Sequence, residues 1–367
     1  MEKEVVVGTE NEGFTDVVKR QKNGGISKMA KKTVVIMCAV FLLFAANSVF
    51  GGGAEEQESA EAQKVSITLA HHLPTSTMLH KAAERFAALV AEKTDGNVTV
   101  DISPGAQLGS NREILEQVKL GGVEMTLGES AIYVEYVPEF GLLSLPFVFE
   151  GLEHYHAAFK GEMGRILEDK LLAASGVRIL AWMDAGIRDV YSNRKIQSVP
   201  EFDGLKIRTP TSPVFLDTFK ALGANPTPIP SNEIYSSLQS GVVDAMEGTV
   251  EIGWTFKIHE VTKYCTETHH ILIDESFAIN DDFFNSLPKE YQEALLTAAQ
   301  EAGEWEMASW GDAVAEFKDK LVNEGGITFL PIDLDACKEA VKPVYTKFRS
   351  NVPGADQLMA EIDKARP

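Results

Sequence analysis

The sequence predicts an α/β protein of two domains. Its 367 residues exceed the roughly 250 to 300 at which a single hydrophobic core stops growing. Segments with strand-like alternation of apolar residues are interleaved with segments of helical spacing, the pattern typical of βαβ units. Hydrophobic residues make up 44% and charged residues 24%, as in globular proteins, which argues against a disordered chain or a multi-span membrane protein.

The first half opens with a predicted strand, helix and strand. Val65, Ile67 and Leu69 alternate with polar residues, and after a loop helical spacing continues from Ala82 to Thr94. The other elements predicted in this half are a strand at 98–102, a helix at 112–121, a strand at 124–127, a helical stretch at 152–175 and strands at 177–182 and 189–192.

The second half repeats the alternation and then changes. A strand at 205–208 precedes helices at 213–222 and 232–240. From Pro288 to Asn323 no further proline occurs, and apolar residues recur at helical spacing. One helix of that length would reach about 50 Å, long enough to brace two lobes. Gly303 lies near its middle.

The amino terminus resembles an export signal. Basic residues at 28–32 precede thirteen apolar residues, Val34 to Ala46, and small residues follow. The run is shorter than the roughly 20 residues of a membrane span, so we expect a secretory signal peptide, with an uncleaved anchor as the alternative. We interpret residues 1–53 as an upstream extension and this signal, with translation starting at Met29, and residues 54–63 as a flexible tether.

The signal predicts a periplasmic protein. Cys38 lies in the apolar run behind a poor lipoprotein cleavage box, which disfavours a lipid anchor. Cys265 and Cys337 remain. They either pair in the oxidising periplasm or stay as buried free thiols, and the sequence leaves both possibilities open.

Charge and motifs exclude several function classes. The net charge of −20 would repel nucleic acid, and an anionic ligand would have to be captured by local positive groups in a cleft. The sequence lacks the common phosphate-loop, hydrolase and metalloprotease signatures, and its eight histidines lack a chelating spacing. We therefore expect no enzyme, no cofactor and no metal site.

A series of ordered motifs carries a family resemblance. They are GLKIRTP at 204–210, LGANPTP at 222–228, NEIY at 232–235, LQSGVVD at 238–244, GAQLG at 105–109, LPFVF at 145–149 and GIR at 186–188. Together they resemble the substrate-binding proteins of tripartite ATP-independent periplasmic (TRAP) transporters, the DctP-like family. The resemblance extends from about Val65 to the end of the chain.

The resemblance implies a two-lobed periplasmic-binding-protein fold with crossover strands and a long bracing helix. Lobe one would comprise residues 64–185 with 274–313, and lobe two residues 186–273 with 314–367. A hinge motion would close the lobes over an organic acid. The implied protein is a monomer without catalytic activity, and its partners are the membrane subunits of a TRAP transporter.

The same resemblance assigns the ligand-binding residues. The arginine of the LKIR motif, Arg208, would bind the ligand carboxylate through two parallel donors, and Arg188 would assist it. Glu129, His72 and Ser231 fall on further cleft positions of the sialic-acid-binding branch. A carboxylate in an anion-binding site repels the ligand unless it accepts hydrogen bonds from it. Glu129 therefore favours an acid that carries hydroxyl groups.

Two tryptophans are weaker candidates for the pocket floor. Trp182 ends an apolar strand six residues before Arg188, and Trp254 follows the segment at 247–249. Either residue is equally explained by core packing. The predicted function is capture of an organic acid, hydroxylated or sugar-acid-like, for TRAP membrane subunits. The alternatives are a sensor module on the same scaffold, and a C4-dicarboxylate or 2-oxo acid as the ligand.

Overall fold

The computed structural model describes residues 63–367. The predicted signal peptide and all but the last residue of the predicted tether lie outside the described residues. Cys265 and Cys337 are both buried and both free thiols, so the second of the two possibilities for this pair is confirmed.

One mixed sheet of nine strands runs through residues 63–367, in the order β2-β1-β3-β8-β4-β7-β5-β6, with β9 beside β8. The strands are β1 (Val65–Ala70), β2 (Val98–Ser103), β3 (Met125–Glu129), β4 (Val177–Ser192), β5 (Lys206–Thr209), β6 (Asn225–Pro228), β7 (Ala245–Gly248), β8 (Tyr264–Asn280) and β9 (Thr328–Leu330). The pairs β3–β8, β8–β4 and β4–β7 are antiparallel and the others are parallel. The α/β class predicted from the sequence is confirmed.

Twelve α-helices cover the sheet within the same residues. They are α1 (Met78–Lys93), α2 (Asn111–Lys119), α3 (Leu152–Lys160), α4 (Glu162–Ser175), α5 (Pro213–Ala221), α6 (Ile234–Gln239), α7 (Val250–Thr255), α8 (Asp281–Ser286), α9 (Lys289–Asn323), α10 (Leu334–Ala340), α11 (Lys342–Asn351) and α12 (Ala355–Lys364). Local sequence explains several helix starts. Thr77 caps α1 by accepting from His80 N, and Ser110 forms a capping box with Glu113 at α2.

Two long strands, β4 and β8, form the centre of the sheet. The strands predicted at 177–182 and 189–192 are one continuous strand, which corrects the sequence-based prediction of two. Its pairing with β8 is irregular between Asp184 and Ile187, and again between Arg188 and Val190. Gly186, between these positions, has φ +84°, a conformation that favours glycine. Local irregularity of this kind broke the apolar alternation that a regular strand would show.

The long helix predicted from the carboxy-terminal half is confirmed as α9, which spans 35 residues. It packs against α1, β4 and α7, and its buried face includes Leu295, Ala299 and Ala302. Small side chains on this face let α9 approach the sheet closely. No helix within residues 63–367 is both long and apolar enough to cross a membrane.

The carboxy-terminal helices tie distant parts of the chain together. His154 of α3 contacts the carbonyl oxygen of Ile362 in α12 at 2.8 Å, and Tyr345 of α11 donates to the carbonyl oxygen of Pro146 at 2.6 Å. The largest hydrophobic cluster likewise combines Tyr155 and Leu167 with Phe348 and other residues of these helices. The chain end is therefore part of the main core.

We predict opposite effects for two glycine substitutions in α9. A Cβ at Gly303 would lie 3.0 Å from Met183 Cγ and 3.2 Å from the carbonyl oxygen of Trp182, whereas a Cβ at Gly311 meets nothing within 4 Å. Gly311→Ala should raise the free energy of unfolding by up to about 1 kcal/mol. Gly303→Ala should lower it by about 1 kcal/mol or more, because overpacking outweighs helix propensity. Urea unfolding of both variants measures this, and equal stabilisation of both would contradict the close approach of α9 to β4.

Candidate ligand-binding site

Arg208 is a buried cation with free hydrogen-bonding capacity. It lies near the end of β5 and is 4% exposed. Its Nε donates to the carbonyl oxygen of Ile229 at 2.8 Å, which orients the guanidinium. Its nearest carboxylate contact is Nη1 to Glu247 Oε1 at 3.9 Å, beyond hydrogen-bond distance. Within residues 63–367 no group accepts a hydrogen bond from either terminal nitrogen, so both can still bind an anion.

Burial makes the charge of Arg208 costly. It is the main cause that lowers the pKa of Arg208 to about 10, partly offset by Glu247 and reinforced by Arg188. Even so, the guanidinium is protonated at neutral pH. An incompletely paired buried charge destabilises a protein until an anion joins it, so the geometry favours binding of a carboxylate at this position.

Arg188 is held firmly by protein carboxylates. Its Nε and Nη2 donate to the two carboxylate oxygens of Glu247, the latter at 2.8 Å, and its Nη1 lies 3.0 Å from Glu129 Oε1. The guanidinium also lies over the ring of Phe215, 5.4 Å from the centroid. Burial opposes its charge, but Glu247 and Glu129 outweigh burial and raise the pKa of Arg188.

Glu247 on β7 is the central acceptor of the site. It is fully buried, and burial alone would raise its pKa. Arg188 and His270 outweigh burial and lower the pKa of Glu247 to about 2; His270 Nε2 lies 3.5 Å from Glu247 Oε2. Glu247 is not among the ligand-binding residues predicted from the sequence. Its position in the segment VDAME, just before the Gly248 that ends β7, was the available signal.

His72 and Glu129 approach the arginines from β1 and β3. His72 follows β1 and is 6% exposed, and Glu129 ends β3. Burial lowers the pKa of His72 to about 4, with Glu129 opposing and Arg208 adding to the shift. Both charged groups are therefore close to the ring, which is neutral at physiological pH. The structure thus brings together Arg208, Arg188, Glu129 and His72.

Asn111 lies beside the candidate site and was not predicted from the sequence. It begins α2, and its Nδ2 donates to the carbonyl oxygen of Glu129 at 3.4 Å. Its Oδ1 is buried without a partner among the described residues. A Cβ at Gly128 would lie 2.5 Å from that oxygen, so the glycine makes room for the amide. Only the position of Asn111 at a helix start, after the GAQLG motif, hinted at a role.

Trp182 does not join the arginines. Its Nε1 donates to Glu168 Oε1 at 2.6 Å, and its ring packs against Phe159 at 4.7 Å between centroids. It lines a separate cleft of about 860 Å³. The irregular pairing of β4 with β8 between Asp184 and Ile187 inserts one residue between Trp182 and Arg188. Contact of Trp182 with a ligand stays a prediction.

Trp254 and Ser231 also have no contact with the arginines in residues 63–367. Trp254 stacks on His259, with the ring centroids 4.5 Å apart, and lines a surface pocket with Lys320. Its role in the pocket floor stays a prediction. Ser231 is half-buried and begins a short 3-10 turn, two residues after the carbonyl oxygen that orients Arg208. Its contact with a ligand stays a prediction.

Acidic side chains are also buried beside the site, and burial raises their pKa values. Glu251 on α7 is 3% exposed, and its Oε1 accepts from the backbone N–H of Met78, the first residue of α1, at 2.6 Å. Burial raises the pKa of Glu251 to about 7, against the opposing effects of Met78 and Lys81. Burial also raises the pKa of Asp274 to about 7. No three of the His, Cys, Asp and Glu side chains in residues 63–367 are arranged to bind a metal ion.

Comparison with known proteins agrees with this geometry. Residues 69–351 match the family of bacterial extracellular solute-binding proteins, family 7, also called DctP. The 2,3-diketo-L-gulonate-binding periplasmic protein YiaO of Escherichia coli is 31% identical over 307 residues, which cover 82% of this chain and 92% of that protein. The chain therefore belongs to family 7 of the bacterial extracellular solute-binding proteins, and the resemblance noted in the sequence is confirmed.

Solved structures show the same fold. A TRAP periplasmic solute-binding protein from Roseobacter denitrificans with bound L-galactonate superimposes with a TM-score of 0.77 at 29% identity, covering 83% of this chain and 99% of that chain. Another from the same organism, with bound β-D-glucuronate, has a TM-score of 0.78 at 30% identity and covers 81% of this chain and 98% of that chain. The two-lobed binding-protein fold expected from the sequence is confirmed by these similarities.

We predict a pH dependence of stability that involves Glu251. Its pKa, raised from 4.5 to about 7, means that the native state holds this proton more tightly than the unfolded chain does. The resulting stability is fully present below about pH 4.5 and is lost as the pH rises through about 7. Glu251→Gln should therefore lose less stability than the wild type between pH 4.5 and 7, as measured by urea unfolding without ligand.

The exposed Glu304 supplies the matched control, because Glu304→Gln makes the same chemical change at the surface of α9. This control should keep the wild-type slope. All three proteins should still lose some stability as the pH rises, because the pKa of Asp274 is raised from 3.8 to about 7. Parallel stability curves for Glu251→Gln and the wild type would contradict the burial of this carboxyl group in the native state.

Proposed function

We propose that the protein captures a hydroxylated organic acid of the sugar-acid class and delivers it to the membrane subunits of a TRAP transporter. One observation carries the proposal: the buried guanidinium of Arg208 has two terminal nitrogens without a partner in residues 63–367, beside a Glu247 already committed to Arg188. A ligand carboxylate supplies the missing anion and fits the planar pair of donors.

The groups around the arginines favour hydroxyls in the rest of the ligand. Glu129 is an acceptor when ionised, and Asn111 offers a buried amide oxygen that lacks a partner among the described residues. Neutral His72 donates through one ring nitrogen and accepts through the other. Ligand hydroxyls satisfy this mixture of groups. A second carboxylate would meet the like charge of Glu129, which weighs against a C4-dicarboxylate.

The relatives support the same class of ligand. The Escherichia coli protein is named for 2,3-diketo-L-gulonate, and the two Roseobacter denitrificans structures contain L-galactonate and β-D-glucuronate. Each of these compounds joins one carboxylate to several hydroxyl or keto groups. We also place the protein in the periplasm, as a binding protein without catalytic activity, in line with the periplasmic name of that relative.

We predict that Arg208→Lys weakens sugar-acid binding by at least thirtyfold. The ammonium keeps the charge but loses the two parallel donors and the bond to Ile229, and a buried charge pair lost in this way costs a few kcal/mol. Isothermal titration with galactonate and glucuronate measures the effect. Arg165→Lys, at an exposed position on α4, is the control and should bind as the wild type does. Unchanged affinity in Arg208→Lys would refute the proposed carboxylate site.

We further propose that ligand binding closes two lobes, residues 64–185 with 274–313 and residues 186–273 with 314–367. Two contacts support this division, because each joins one proposed lobe to the other: Glu129 with Arg188, and Glu251 with the N–H of Met78. Both contacts lie across the proposed cleft. The contacts of α11 and α12 with residues 146 and 154 also cross the boundary, and we propose that the lobes pivot about them.

Closure predicts a smaller radius of gyration in the ligand-bound protein. A ligand that contacts both lobes has a higher affinity for the closed state and shifts the population toward it. Small-angle X-ray scattering with and without saturating galactonate or glucuronate, whichever binds, measures the change. In Arg208→Lys at the same ligand concentration the radius should stay at its ligand-free value. Saturation without compaction of the wild type would rule out closure as the binding step.

A further inference from the structure

A small cavity lined by both apolar and polar side chains adjoins the arginine site on the side of the long helix. Its volume is about 20 Å³, room for about one water molecule or one hydroxyl group. Arg188 and Glu129 of the arginine site form one part of its wall. The polar residues that line it are Glu129, Arg188, Thr249, Glu251, Glu275, Glu306 and Trp310.

Three of these carboxyl groups come from different elements and are buried together. Glu251 lies on α7, Glu275 on β8 and Glu306 on α9, and each is at most 3% exposed. Glu251 is partnered by Met78 N. By contrast, Glu275 Oε2 and Glu306 Oε2 have no hydrogen-bond partner in the described part of the chain, and neither does the indole Nε1 of Trp310, which is 3% exposed.

The carboxyl groups face too little positive charge to be ionised together. Arg188 is the one cation in the cavity wall, and Glu247 and Glu129 already pair with it. Burial raises the pKa of both Glu275 and Glu306 well above the usual value, and the neighbouring acids Glu129 and Asp184 add to the shifts. Neutral carboxyl groups both donate and accept hydrogen bonds.

This mixture of donors and acceptors selects the occupant by its chemistry. An anion is disfavoured because acids form most of the polar wall. An ammonium group donates only and leaves the indole N–H of Trp310 unsatisfied. A hydroxyl group donates and accepts, so it can satisfy a carboxyl oxygen and the indole together. Its size also matches a cavity of about 20 Å³.

We propose that this cavity is a subsite for the ligand hydroxyl farthest from the carboxylate, with Glu275, Glu306 and Trp310 as the residues that bind it. The inference rests on the proposed function, which places the carboxylate at Arg208. It defines the ligand as an acid whose carbon chain or ring carries a hydroxyl group at the end opposite the carboxylate. Acids that lack this hydroxyl leave buried polar groups unpaired and bind more weakly.

The test compares ligand pairs that differ in that hydroxyl. The probes are galactonate and 6-deoxygalactonate, gluconate and 6-deoxygluconate, and glucuronate and 2-deoxyglucuronate, each titrated calorimetrically into the wild-type protein. For the pair with the tightest member, the deoxy compound should bind at least tenfold more weakly. Equal affinities within that pair would overturn the subsite.

Variants of Glu306 assign the discrimination to the cavity. Glu306→Leu removes the hydrogen-bonding group and should reduce the difference within the pair to less than threefold. Glu306→Gln keeps a donor and an acceptor and should retain most of the difference. The exposed Glu304→Gln on the same helix is the control and should behave as the wild type. Full discrimination in Glu306→Leu, with a folded protein by circular dichroism, would also overturn the proposal.

The same titrations separate this inference from the proposed function. If the acids bind and Arg208→Lys abolishes their binding, but the deoxy compounds bind as well as their parents, only the subsite fails. If none of the probes binds to the wild type, the proposed function fails and the subsite fails with it. When both proposals hold, a crystal structure of the tightest complex should show the terminal hydroxyl beside Glu306.

Discussion

The rest of the site depends on the buried pairing of Arg188 with Glu247. The two residues lie on adjacent antiparallel strands, β4 and β7, so the sheet itself sets their separation. Removing one member of such a pair leaves an uncompensated buried charge, at a cost of about 3 to 5 kcal/mol. Because both carboxylate oxygens of Glu247 accept hydrogen bonds from Arg188, Glu247 approaches Arg208 only to 3.9 Å and forms no hydrogen bond with it. The neighbouring guanidinium therefore keeps its affinity for an external carboxylate.

This local arrangement answers the problem posed by the net charge of −20. Long-range attraction cannot bring an anion to such a surface, so binding relies on a short-range site. The cleft has chemically distinct ends. Arginines dominate the end at β5, whereas carboxyl groups dominate near α9, where burial raises the pKa of Glu275 and Glu306. A ligand with one acidic end and one hydroxylated end fits in a single orientation.

Apolar periodicity and sequence motifs were enough to predict the α/β class, the long helix α9 and the position of Arg208. The continuity of β4 was not predictable, because its irregular pairing interrupts the alternation on which strand prediction depends. The burial of Glu251, Glu275 and Glu306 could not be predicted for a different reason. Among 54 acidic residues only tertiary packing distinguishes the few that are buried side by side.

The strand order has a consequence for how the chain folds. β3 pairs with β8, whose partner residues follow about 150 positions later, and β4 also needs β8 on one side. Half the sheet thus lacks its central strand until Asn280 has been synthesised, and contacts this distant in sequence form slowly. The topology itself therefore delays completion of the native core.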